Sequence, residues 1–379
     1  MSTLRILGAV FIVLFFPSFV HAETEKEGET FVRGKVISVT EETTVDQEGI
    51  TQPFQRAELE IISGPEKGQT IIINHGLSFV LEPHELVEKG DTVVVNRSFY
   101  EDTGVRYYII DSYRIPQLAL LVAAFFALAI YFGRRKGLLS IIGLLFSIVV
   151  IFYGIIPLVV NGYPPFLVCS VAAFLILVVS LYLSHGFHRR TTIAVVSSAA
   201  ILLMALGIDS LFTTFAHIFG FGSEEAVYLS FQSHAINPKG IFLGGVILGV
   251  LGILDDVTTA QTAAVEEIYR ANPAVRMRDL YARGISVGKE HIASLINTLV
   301  LAYIGASFPL FVLIYIQKTA DLWLILNGQF IAEEIVRTLV GSCALVLAVP
   351  LVTLLSAYWY TKKGIDPKDV LFETHGHHH

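Results

Sequence analysis

Hydrophobic and polar positions change their period several times along the chain. After Arg5, residues 6–20 form an apolar run that closes on Val20-His21-Ala22, the small-residue pattern of a secretory cleavage site. The reading is a signal peptide over residues 1–22, with an uncleaved anchor helix as the alternative. Either way, the residues after Ala22 are expected to be exported. Residues 23–30 are polar and acidic and read as a tether. From Phe31 the period becomes two: Val32, Gly34, Val36 and Ser38 alternate with Arg33, Lys35, Ile37 and Val39. Five strands are predicted, at Phe31–Thr40, Phe54–Ser63, Gln69–Asn74, Thr92–Arg97 and Val105–Ser112. Turn residues at Gly64-Pro65, Lys67-Gly68, Lys89-Gly90-Asp91 and Asp102-Thr103-Gly104 separate them. With one short helical stretch from Pro83 to Lys89, residues 31–113 suit a small all-β, OB-like domain.

Beyond residue 113 the polar positions thin out, and apolar runs near twenty residues long take over. Seven membrane-spanning helices are predicted within residues 114–363: Gln117–Phe132, Leu138–Val160, Phe166–Leu183, Thr192–Leu206, Gly240–Val265, Ile292–Ile316 and Leu339–Tyr360. With the β domain outside, the inner loops carry Arg134, Arg135, Lys136, Arg189, Arg190, Arg270, Arg276, Arg278, Arg283 and Lys289. The outer loops hold Lys239, Lys318 and the boundary residue Arg337. This bias predicts an extracytoplasmic N-terminal domain and a cytoplasmic C-terminus in a bacterial-type inner membrane. The segment Ser210–Pro238 mixes Phe212, Phe215, Phe219 and Phe231 with polar residues. It reads either as an amphipathic helix pair at the interface or as a loop packed against the exported domain. Residues 364–379 read as a cytoplasmic tail, and its terminal histidines as a solvated or tag-like remnant outside any metal site.

Composition agrees with the pattern. The 379 residues are 54% hydrophobic and 16% charged, which excludes a cytosolic enzyme and a disordered scaffold. A formal charge of -7 with no basic face argues against a nucleic-acid partner. Cys169 and Cys343 both lie in apolar runs, so no disulfide framework is expected in the exported part.

The chemistry concentrates in the fifth predicted span. Counting inward from Gly240 at ~1.5 Å per residue puts Asp255 roughly 22 Å down, still inside a ~30 Å hydrocarbon core. Intramembrane carboxyls are costly, of order 2.5–3.5 kcal/mol each, and default to ion or proton handling. The bland reading places Asp255 and Asp256 at a helix end in cytoplasmic water. Adjacent residues diverge by ~100° on a helix, so the two carboxyls should not face one partner squarely, and they should titrate as a coupled pair. Thr259 extends the polar stretch. In the sixth span Asn297 lies roughly 14 Å above Gly288, so Asn297 and Thr298 are candidates to shape the same site. Gly244, Gly245, Gly249 and Gly252 suggest a small-residue face for close helix packing.

The runs Leu251–Ile268 and Gly284–Ser307, which carry these residues, resemble the YibE/F family, and the layout of an exported β domain before seven spans is similar too. That resemblance implies a multi-pass membrane protein and brings no settled activity. More distantly, Gly252-x-x-Asp255-Asp256 followed by Val265-Glu266 is similar to the acid-bearing fourth helix of resistance-nodulation-division exporters and Sec accessory proteins. This likeness implies proton handling. The chain departs from those families in its two extra leading spans, its small exported domain and its lack of a second half.

Taken together, the expectation is a proton- or cation-coupled transporter or exporter of unidentified substrate. Asp255, Asp256, Thr259, Asn297 and Thr298 would form its ion-coupling site, no cofactor or metal would be needed, the lipid bilayer would be its medium, and a homodimer is possible. The rival is a membrane-anchored assembly or regulatory protein whose Asp pair fixes helix packing. No Ser-His-Asp order, H-E-x-x-H run or P-loop appears, so an enzyme is not expected.

Overall fold

A computed structural model describes residues 29–45, 51–77, 81–100, 104–232, 236–316 and 321–364. The predicted signal peptide, most of the tether and the C-terminal tail lie outside the described residues. The chain separates into two compact units, Met1–Leu128 and Ala129–His379.

The first unit carries a five-stranded antiparallel sheet of order β3-β2-β1-β4-β5. Its strands are β1 (Glu29–Val45), β2 (Thr51–Ile61), β3 (Thr70–His75), β4 (Thr92–Tyr100) and β5 (Gly104–Ser112). All five predicted strands are present. β1 is long because it serves two partners: Glu29–Lys35 pairs with β4, and Gly34–Val45 pairs with β2. The two pairings overlap at Gly34–Lys35, and the pairing with β2 is irregular between Val36 and Ser38. Val32, Gly34 and Val36 are buried and Ile37 is exposed as the alternation predicts, but Ser38 is exposed and Val39 packs against the core. The extra residue of a bulge shifts the inward face by one position and bends the strand.

The predicted helix at Pro83–Lys89 is instead a run of turns. The Gln55 side chain accepts from Val87 N–H at 2.8 Å and donates to Val87 O at 3.2 Å, so Gln55 holds the main chain that a helix would have paired internally. This contact lays Val87 over the sheet core. The ends of the sheet are also tied together. Glu66, in the turn between β2 and β3, accepts from Arg97 Nε of β4 at 2.9 Å and from the Tyr107 hydroxyl of β5. Those hydrogen bonds hold the Glu66 carboxyl below the usual carboxylate range, the Tyr107 bond contributing most, with Arg97 also lowering it.

The helices are α1 (Ile115–Val149), α2 (Ile156–Val160), α3 (Pro165–His185), α4 (Arg189–Phe215), α5 (Glu224–Gln232), α6 (Pro238–Ala271), α7 (Met277–Ala306), α8 (Phe308–Ile316), α9 (Leu322–Asn327) and α10 (Gln329–Lys363). α1 and α2 are joined by a π-helical turn, Val150–Ile155, ahead of Pro157, whose missing N–H cannot continue the regular ladder. Among the described residues, five helical stretches are long and apolar enough to cross a membrane: 115–160, 165–185, 189–215, 238–271 and 329–363. α7 and α8 pass the same test as a pair bent by 71°, a break consistent with Pro309 directly after it.

All of these stretches outrun the predicted spans, and two of them do so the most. α4 continues to Phe215, beyond the expected end at Leu206, and α10 starts at Gln329, ten residues before Leu339. Of the predicted amphipathic pair after Ser210, one helix is present among the described residues, α5, since Ser210–Phe215 prolongs α4.

In the second unit, α6 and α10 form the centre. Ile247, Val250, Leu254 and Val257 of α6 share one buried cluster with Ala344, Leu345, Ala348 and Val352 of α10. Apolar packing between helices gains little from water exclusion in lipid, so close approach and shared hydrogen bonds must hold such a bundle. Both occur here. Gly284 of α7 lies against Thr353 of α10 and Val265 of α6, and Gly288 lies against Val349 and Gln261. Where the helices meet, Gln261 Nε2 donates to Gly284 O at 2.9 Å and to Thr353 Oγ1 at 2.7 Å.

Candidate functional site: an acid pair in a hydroxyl-lined cleft

α6 carries Asp255 and Asp256 into a cleft of about 450 Å³ within the second unit. One wall comes from the C-terminal half of α1, with Ser140, Leu144 and Ser147. A second comes from α3, with Leu177, Ser180, Leu181, Ser184 and His185. α6 closes the cleft with Leu251, Gly252, Asp255, Asp256 and Thr259. The serines recur at helical steps, 140 and 147 on α1 and 180 and 184 on α3, so each pair lies on one face of its helix. The two serine faces meet across Gly143, where a Cβ would stand 3.2 Å from Ser180 Oγ and 3.4 Å from Ser184 Oγ.

Asp255 is half-buried, and its Oδ1 is buried with no hydrogen-bond partner among the described residues. Asp256 is exposed. Both line the same cleft although their directions diverge, because the opening spans two helices. Thr259 lines it too, but its hydroxyl donates to the Asp255 main-chain oxygen at 2.8 Å, leaving the carboxyl unserved. The neighbouring Thr258 is fully buried and shares a 2.8 Å hydroxyl bond with Ser198 of α4, which ties the two helices together.

Asn297 and Thr298 are placed elsewhere. Both are exposed on α7 and neither lines the cleft, while the Thr298 hydroxyl donates back to Ser294 O at 3.1 Å. Matching depth along two helices did not bring them to one side. The predicted packing glycines also sort differently. A Cβ at Gly245 or Gly252 would meet nothing within 4 Å among the described residues, and one at Gly249 would meet only the Tyr303 hydroxyl. Of the predicted face, Gly244 makes the close approach, against Cys169 of α3, and Gly240 one turn earlier does so against Pro165.

Three buried acids lay outside the sequence expectation. Asp209 of α4 is fully buried, its Oδ1 3.4 Å from the Thr213 hydroxyl and its Oδ2 without a partner among the described residues. Glu333 of α10 is buried and accepts from Gly222 N–H at 2.9 Å and Gln329 Nε2 at 3.0 Å. Continuing the helical period past Leu206 and back from Leu339 would have placed both inside spans. Glu266 of α6 is also buried, bonded to Arg270 Nη2 at 2.7 Å and to the Tyr360 hydroxyl at 3.2 Å.

A small antiparallel β domain followed by a bundle of long apolar helices, with carboxyls set among them, defines a multi-pass membrane protein. Residues 121–362, more than half of the chain, match the family model described as YibE/F-like protein. The chain belongs to that family. No curated protein and no solved structure matches it.

Proposed function

We propose that this protein is an integral membrane transporter or exporter that couples substrate movement to protons or another cation, with Asp255 and Asp256 as the ion-binding groups. The observation that carries this reading is the Asp255 carboxyl, half-buried and without a partner at Oδ1 among the described residues, on a cleft that four serines also line. A carboxyl kept only for packing is expected to find a donor, because an unsatisfied buried polar group costs about 1–3 kcal/mol. The rival reading, an assembly or regulatory protein, predicts such a donor, and none lies at Oδ1 among the described residues. Serine hydroxyls around a carboxylate are also a hard-oxygen set that suits a proton, water or a small cation. The serine faces of α1 and α3 take the role expected of Asn297 and Thr298. The distant resemblance to acid-bearing exporter helices points the same way.

This reading includes seven spans, with the β domain extracytoplasmic and the C-terminus cytoplasmic. Within 115–160, Arg134 has φ 49° and ψ -130°, and a Cβ at Gly137 would collide with Ala129 O. Residues eight apart on a straight helix are about 12 Å apart along the axis. This kink at Arg134 supports reading the stretch as two spans, and the bent α7–α8 pair is read as another. The sheet order is that of an OB barrel opened between β3 and β5, and the Glu66 bridge to β4 and β5 spans that opening, which supports the OB-like reading.

The test is proton flux in liposomes after an imposed gradient. Wild type should show flux that Asp255→Asn abolishes while the variant stays folded by size exclusion and thermal melting. Equal flux in the two proteins would remove Asp255 from the mechanism.

A further inference from the structure

Beside the acid cleft lies a second pocket of about 240 Å³, and its lining has the opposite character. Lys136 of α1, His185 of α3 and Arg190 and Thr191 of α4 face it, with Thr259, Ala260 and Ala263 of α6 as its floor. Because His185 and Thr259 line both cavities, the two are contiguous.

Three features make this pocket complementary to an anion. The first is charge. Lys136 is exposed, and Arg190 reaches the Glu266 carboxylate only at 4.0 Å. Glu266 is already bonded to Arg270 and Tyr360, so the Arg190 guanidinium keeps donors to offer. The second is the start of α4. Arg190 and Thr191 belong to its first turn, and the N-cap residue His188 places no side-chain bond on the first-turn N–H groups. Those groups and the helix dipole favour a negative charge there. The third is Thr191, only 2% exposed, whose hydroxyl makes no hydrogen bond among the described residues and which lines the pocket. A threonine in a helix commonly bonds back to a main-chain carbonyl one turn earlier, as Thr192 does to His188 O. Thr191 keeps its hydroxyl for the cavity.

We propose that this pocket is a binding site for a phosphate-type oxyanion, held by Lys136, Arg190, the Thr191 hydroxyl and the first-turn N–H groups of α4. The phosphate can come from an anionic lipid headgroup or from a soluble molecule. Among the described residues the pocket lining itself holds no acid, and Asp255, Asp256 and Glu266 flank it. Asp255 and Asp256 line the adjoining cleft, and Glu266 is committed to Arg270, so none fills the position the cations surround. The site stands independently of ion coupling at Asp255, because none of its residues other than Thr259 belongs to that assignment.

The experiment follows acylation of Lys136 by an amine-reactive reagent, read by mass spectrometry of the full chain in nanodiscs. One arm uses neutral phosphatidylcholine with inorganic phosphate, against chloride at equal ionic strength. The other replaces part of the phosphatidylcholine with phosphatidylglycerol. Phosphate protection in the neutral bilayer assigns the site to a soluble anion, and protection by phosphatidylglycerol alone assigns it to a headgroup. In whichever arm protects, Arg190→Gln should weaken the protection about fivefold, the factor that ~1 kcal/mol per cation provides. Thr191→Val, which leaves the charges in place, should weaken it as well. No protection in either arm, or protection that both variants retain in full, overturns the proposal.

Discussion

The four glycines in the N-terminal part of α6, Gly240, Gly244, Gly245 and Gly249, look alike in sequence and differ in what surrounds them. A Cβ at Gly244 would lie 2.6 Å from Cys169 Sγ and 2.9 Å from its Cβ, whereas one at Gly245 would meet open space. Gly244→Val should therefore push α3 from α6 and cost about 1–3 kcal/mol, the usual range for overpacking. Gly245→Val should leave the melting temperature in detergent close to that of the parent chain. Equal losses from the two variants would show that helix propensity, rather than the α3 contact, sets the cost. A small-residue step along one helix is readable in the sequence, but the step that meets a partner depends on how the partner is rotated. The Asp pair was legible for a different reason: a carboxyl in an apolar run stands out whatever surrounds it. Asn297 and Thr298 were not, because polar side chains at equal depth can face opposite ways on neighbouring helices.

Among the elements, the β sheet illustrates how local pattern and distant contact divide the work. Strand positions follow from period-two alternation and turn residues, and those were legible. The bulge at Ile37 and the turns at 81–91 were not, since each answers to residues elsewhere in the chain, the pairing with β2 in one case and Gln55 in the other. Glu66 is a further long-range tie, and it makes the domain sensitive to acid. Its carboxyl is held below its ordinary value in the folded state by Tyr107 and Arg97, so its contribution is present above the unfolded value of about 4.3 and is lost as pH falls through the folded value. Unfolding of the domain, followed through hydrogen exchange of β4 and β5 in the full chain, should become easier below about pH 4.3. Glu66→Gln should remove that part of the acid dependence and lower stability at neutral pH by about 1 kcal/mol, the worth of a hydrogen bond. An unchanged pH profile in the variant would show that other carboxyls dominate.

For the whole molecule, the count of spans decides which groups share a compartment. Five or seven crossings put the β domain and the C-terminus on opposite sides of the membrane, and six would put them on the same side. In the seven-span reading the reversal at Arg134 is a cytoplasmic turn, so a cysteine in place of Arg135 should react with an impermeant thiol reagent only after the membrane is opened. A cysteine in place of the exposed Ser38 in the β domain should react from outside in intact cells. Labelling of both from outside would contradict this topology. The sequence alone determined that the chain is a multi-pass membrane protein, where its five strands lie, and that Asp255 and Asp256 are its most unusual residues. Those properties follow from transfer free energies and short periods, which each segment carries by itself. Only the tertiary structure decided that serines from α1 and α3, rather than Asn297 and Thr298, surround the acids, and that Lys136, Arg190 and Thr191 converge beside them. Which faces meet is set by helix rotation and close approach at glycines such as Gly244, Gly284 and Gly288, and that is a property of pairs of segments that no single segment encodes.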